Sequence, residues 1–128
     1  MLAFLLACLK NNIVGGGGGG AFVVTGVTLT KNQNGTSQIN PYRFNVSLGY
    51  TGSPSGITVT LESNFNGEGW VTEATGLAPS AFPQVIDAGG YYNKFGTAAG
   101  MFARITDDAD ALNTATSAEF VTTYTLPV

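Results

Sequence analysis

Six consecutive glycines at residues 15–20 set the tightest limit on what this chain can build. Glycine has no Cβ to pack and favours no single backbone basin, so such a run resists inclusion in a helix or strand and acts as a flexible tether. The tether separates an N-terminal arm, residues 1–14, from a body, residues 21–128. The arm crowds Leu2, Phe4, Leu5, Leu6 and Leu9 together, whereas the body is rich in Thr and Gly. Leu2, Leu5, Leu6 and Leu9 fall at helical spacing, yet two turns are too short to be helical alone in water. Burying the large side chains is worth ~1.5–3 kcal/mol each, and ordering the same stretch of backbone costs ~1–2 kcal/mol per residue, so the two sums nearly cancel. Firm docking of the arm therefore requires added backbone hydrogen bonds or several arms held together by symmetry.

Composition closes off several function classes. Of 128 residues, 44% are hydrophobic, enough for a core, while 10% are charged, well below the quarter usual in soluble domains. Solubility must come from neutral hydroxyls and amides. The net charge is −3, and the five basic residues, Lys10, Lys31, Arg43, Lys94 and Arg104, are scattered, so no basic stripe is present to displace counterions from nucleic acid. Histidine is absent, which removes the usual metal ligand and general base. The single cysteine, Cys8, excludes an internal disulfide and reads as a small buried hydrophobe of the arm. Leu-Leu-Ala-Cys at residues 5–8 is similar to a bacterial lipobox, but the seven residues before Cys8 are too few for a working signal, and the arm is shorter than the ~20 apolar residues of a membrane span. No membrane span is expected.

The body reads as strands. Residues 21–30 are rich in Val and Thr, with Val23, Thr25, Val27 and Leu29 on one side. Residues 42–50 alternate most clearly, Tyr42, Phe44, Val46, Leu48 and Tyr50 against Arg43, Asn45, Ser47 and Gly49. After a turn containing Gly52, Pro54 and Gly56, Ile57, Val59 and Leu61 alternate with Thr58, Thr60 and Glu62, which predicts a hairpin between these two runs. A short strand is expected around Trp70 and Val71, a proline-bearing loop over 77–83, an ambiguous stretch over 84–95, and strands over 100–106 and 119–126. Residues 108–118 carry a trace of helical pattern, although their Asn and Thr content favours a long loop. Six to eight short strands at such spacing predict an all-β fold, a two-sheet antiparallel sandwich of Ig-like or jelly-roll-like type carrying a short apolar arm.

Residues 97–104, Thr-Ala-Ala-Gly-Met-Phe-Ala-Arg, followed by a long loop and the strand at Phe120, resemble the final strand pair of an immunoglobulin-like or fibronectin-like domain. The cysteine pair of true immunoglobulin domains is missing, and Trp70 lies beyond the strand where that family carries its tryptophan. The overall plan of apolar arm, glycine tether and charge-poor β domain also resembles small accessory proteins of bacteriophage particles, such as capsid decoration and fibre-anchoring proteins. That resemblance implies a non-enzymatic virion structural protein, a homo-oligomer whose arm residues Leu2, Phe4, Leu5, Leu6 and Leu9 grip other virion proteins, capsid or tail subunits. It needs no cofactor and no metal.

Other residues suggest alternative chemistry. Trp70, Tyr91 and Tyr92, with Asn93 beside them, can form an aromatic platform for a sugar ring, which gives the alternative of an extracellular glycan-binding module; in a small sandwich, however, aromatics are more often core. Asp107, Asp108 and Asp110 make the only acidic cluster, open to calcium or to turn formation, without the EF-hand order. A pocket gathering Glu62, Glu68 or Glu73 with these aspartates would revive an enzymatic reading. Asn34-Gly35-Thr36 and Asn45-Val46-Ser47 match the glycosylation acceptor pattern, but Asn34-Gly35 suits a tight turn and Asn45 falls in mid-strand. The glycine run is no phosphate loop, since neither Lys-Ser nor Lys-Thr follows it.

Overall fold

The structure, a computed structural model, describes residues 20–33, 43–65, 67–87 and 98–123. Among these residues eight strands run in order: β1 (Val23–Gln33), β2 (Arg43–Thr51), β3 (Val59–Phe65), β4 (Trp70–Leu77), β5 (Gln84–Asp87), β6 (Ala98–Asp107), β7 (Asp110–Thr116) and β8 (Phe120–Thr123). A 3-10 turn at Pro79–Ala81 precedes β5. Every pairing is antiparallel, and the strands form two sheets, β1-β2-β5 and β4-β3-β6-β7, with β8 also on β6. The expected sandwich is therefore present. With β1, β2 and β5 on one sheet and β3, β6 and β7 on the other, the strand order is immunoglobulin-like, β4 having joined the sheet of β3.

The core follows from the period-2 alternation. Phe44, Val46, Val59, Met101, Ala103 and Ile105 are fully buried, and Phe22, Val24, Val27, Leu29, Leu61 and Ile86 nearly so. Phe44 lies at the centre, 5.2 Å from Phe120 in an edge-on contact and 6.5 Å from Phe65, arrangements that suit the ring quadrupole. At roughly 1.5–3 kcal/mol for each large side chain buried, this cluster dominates the stability of the domain.

Three expectations are corrected. First, Val23 and Thr25 face solvent. Register shifts between Val24 and Gly26, so Thr25 forms a bulge that lets Phe22 and Val24 point inward together with Val27 and Leu29. Second, β2 and β3 form no hairpin: β2 pairs with β1 and β5, and β3 with β4 and β6. Each carries one strongly apolar face, and placing them in opposite sheets buries both faces against each other. The connection turns at Gly52, whose φ of +82° suits glycine and whose missing side chain admits the backbone of Gly20 and Ala21. Third, residues 110–116 are a strand and not a long loop. The pair Asp107↔Asp110 leaves only Asp108 and Ala109 in the turn between β6 and β7.

β7 and β8 behave as one strand broken at residues 117–119. Arg104 pairs with Thr116 and Met101 with Phe120, so β6 spans three steps where its partner spans four. Ser117 fills the break: it is buried, its N–H donates to the Ala103 carbonyl at 2.8 Å, and its Oγ accepts from the Ala103 N–H at 3.0 Å. The side chain thus replaces a ladder acceptor that the bulge removes.

Asn113 on β7 closes the sandwich against β1. Its Oδ1 accepts from the Val24 N–H at 2.8 Å, and its Nδ2 donates to the Phe22 carbonyl at 3.0 Å and to Asp107 Oδ2 at 3.1 Å. One carboxamide thereby supplies the start of β1 with the donor and acceptor that a neighbouring strand would offer. The same end of the molecule holds the last glycine of the tether, whose carbonyl accepts from the Ser53 N–H at 3.2 Å. The starts of β4 and β6 lie at the opposite end.

Candidate functional site

Alternation that turns apolar residues inward on β3, β6 and β7 turns a polar set outward, and the register assembles that set into rows across the outer face of the β4-β3-β6-β7 sheet. Thr72, Glu62, Arg104 and Thr116 lie abreast, with Thr60, Thr106 and Thr114 in the next row. On the other side of the first row come Trp70, Asn64 and Phe102. An open groove of about 460 Å³ runs over the polar rows, bounded at one end by Asp108 and Ala111.

Arg104 and Glu62 organise the groove. The Arg104 Nε and Nη2 donate to the two Glu62 oxygens, each at 3.0 Å, and the pair is half-buried. This two-point fork restricts both side chains more than an exposed single contact does. The guanidinium also lies 4.1 Å from the centroid of the Trp70 ring, a cation–π contact that fixes the indole over the sheet. Trp70 stays 36% exposed, so it belongs to the outer face and not to the core where aromatics of a small sandwich are more often found. Thr106 and Thr114 share a hydroxyl hydrogen bond of 2.7 Å, and the Thr114 hydroxyl also reaches the Ile105 carbonyl at 3.1 Å.

The three aspartates diverge. Asp107 is buried and accepts from the Ala109 N–H at 2.9 Å as well as from Asn113. Asp110 accepts from the Leu112 N–H at 3.1 Å. Asp108 accepts from the hydroxyls of Thr60 and Thr58, at 2.5 and 2.7 Å, and its N–H donates to the Thr58 carbonyl at 3.0 Å. The Thr60 hydroxyl above all, then that of Thr58 and the backbone of Gly76, hold the Asp108 carboxyl below the usual carboxylate range. Among the described residues no group of three His, Cys, Asp or Glu side chains can hold a metal ion.

Glu62 and Asp108 do share the groove, the juxtaposition that an acid pair would need. Glu62, however, spends both oxygens on Arg104, and Asp108 is held ionised by its hydroxyl donors, the opposite of the raised pKa that a general acid requires. Glu73 lies elsewhere. Register shifts on both sides of Leu61 make β4 bulge there, and Glu73 accepts from the hydroxyl of the fully buried Ser63. Glu68 falls in the turn before β4.

Of the sugar-platform residues, Trp70 is on the groove face, while Tyr91 and Tyr92 lie outside the described residues, as does Asn93. The arm residues Leu2, Phe4, Leu5, Leu6 and Leu9, Cys8 and the Asn34 triplet also lie outside them. Asn45 is half-buried within β2 and its side chain accepts from Asn32 at 2.9 Å. Sequence reasoning missed Arg104, Thr72 and the threonine rows as site residues. Their signal was the outward phase of the same alternation that marked the core, but which rows meet depends on pairings such as Glu62 with Arg104, 42 positions apart. Among the described residues no helix is long and apolar enough to cross a membrane.

Compared with protein-family models, with curated proteins and with solved structures, the chain matches none.

Proposed function

We propose that the chain is a non-enzymatic structural subunit of a virus particle, a capsid decoration or head or tail accessory protein of a bacteriophage. Residues 1–14 anchor it in neighbouring capsid or tail subunits, and the sandwich stands out from that grip on the glycine tether. One observation carries the reading: the described core closes with side chains from Phe22 to Phe120. The first strand enters from Gly20, whose carbonyl is held by Ser53 at one end of the domain. The described residues thus form a continuous core among themselves, and we read the apolar arm, joined to them through six glycines, as a segment that finds its burial on another polypeptide. Weak arms repeated in a symmetric array bind together far more firmly than one arm binds alone.

The test is deletion of residues 1–19 followed by sedimentation with the particles that carry the protein. The shortened chain is expected to remain folded and soluble and to stay in the supernatant. Incorporation at the level of the full chain would overturn the anchoring role.

A further inference from the structure

We infer that the outer face of the β4-β3-β6-β7 sheet is a binding site for a neutral oligosaccharide lying across the strands, an inference independent of the particle reading. The face is amphipathic in a way that matches a pyranose ring. The row beyond Glu62 and Arg104 presents two aromatic side chains, Trp70 and Phe102, on either side of Asn64, and sugar C–H faces pack on aromatic rings. The adjoining rows present hydroxyls. A threonine hydroxyl has one donor and two acceptor positions; with Thr114 donating to the Ile105 carbonyl and Thr106 donating to Thr114, both oxygens retain acceptor positions for a ligand hydroxyl. Thr72 adds another on the edge strand beside Glu62.

Charge narrows the ligand class. Among the described residues that line the groove the single cation, Arg104, is matched by Glu62, and Asp108 leaves that set net negative, which opposes sialylated or sulfated chains. A purely apolar ligand finds no dry lining among these hydroxyls. Geometry narrows it further, because an open groove suits a chain that passes over the surface more than a small molecule that must be enclosed. Preorganisation favours binding: the fork between Arg104 and Glu62 and the contact of Arg104 with Trp70 hold the central side chains before a ligand arrives, which lowers the ordering cost.

Trp70 is the only tryptophan of the chain, so its fluorescence reports on this face alone. The full chain is titrated with neutral gluco-, manno- and galacto-oligosaccharides, and with sialyllactose as the anionic comparison. The expected result is a saturable change with at least one neutral oligosaccharide and none with sialyllactose. Thr106→Val combined with Thr114→Val is expected to weaken that binding roughly tenfold or more, since hydroxyls of the ligand lose their partners. Thr72→Val provides an independent removal on the edge strand, and urea midpoints establish that the variants are folded. No response to any neutral oligosaccharide, an equal response to sialyllactose, or binding undiminished in both folded variants would overturn the proposal.

Discussion

Asn113 joins the two sheets at the tethered end, and replacing it gives a graded prediction. Asn113→Ala removes three hydrogen bonds, from the Val24 N–H, to the Phe22 carbonyl and to Asp107. At about 0.5–1.5 kcal/mol net for each, with water able to reach part of the edge, the loss should be about 2–4 kcal/mol. Asn113→Asp keeps the shape and the acceptor for Val24. It replaces the donor with an anionic oxygen facing a carbonyl and the Asp107 carboxylate, which the amide nitrogen now meets at 3.1 Å. Two like charges at about 4 Å repel by about 1 kcal/mol in water and about 4 kcal/mol near a protein surface, so at neutral pH this variant should be the less stable of the two. Protonating either carboxyl relieves the repulsion. Urea unfolding at pH 7 should therefore rank the natural chain above Asn113→Ala and Asn113→Ala above Asn113→Asp, and at pH 4 the gap between the variants should close or reverse. An Asn113→Asp protein as stable as the natural chain at pH 7, or an order that ignores pH, would refute this account of how β1 is held against β7.

Gly52→Ala should cost roughly 2–3 kcal/mol in urea unfolding, because φ is +82° and the new Cβ would stand 2.1 Å from the Ala21 carbonyl oxygen. Gly26→Ala, with nothing within 4 Å of the new Cβ and no positive φ, should be neutral or stabilising by up to about 1 kcal/mol. The folded-state pKa of Asp108 is depressed, so its contribution to stability is present above the usual carboxylate pKa and is lost as pH falls through the lowered value. Melting temperatures measured between pH 5 and pH 2 should thus fall less steeply in Asp108→Asn than in the natural chain. Arg104→Leu, which removes the guanidinium from Trp70 and leaves Glu62 unpaired, should shift the tryptophan emission while moving stability by only about 1 kcal/mol.

What the sequence conveyed was the inward face of single strands. Phe44 and Val46, or Val59 and Leu61, announce themselves because burial on one side of a pleated strand forces alternation. Pairing is a long-range property and left less trace. The two clearest runs look like a hairpin, yet they face each other across the core, and only the Gly52 turn against Gly20 and Ala21 marks the crossing. β7 escaped notice because the residues that would reveal its phase are small or polar, and its large apolar residue, Leu112, is 78% exposed. The bulge at Thr25 reversed the phase of β1 without any composition signal. At the site, Trp70 was visible as an aromatic at the start of a short strand, but its side of the sheet depends on Arg104, a residue that reads in sequence as one of several scattered cations.

The central claim is that residues 20–123 complete their own core and leave the arm free to grip another polypeptide. Equilibrium urea unfolding of the full chain beside a chain beginning at Gly20 tests it most directly. Equal unfolding free energies, within about 0.5 kcal/mol, are predicted, since no core contact would be lost. A loss of about 2 kcal/mol or more on truncation would place the arm's leucines inside their own sandwich and contradict the account.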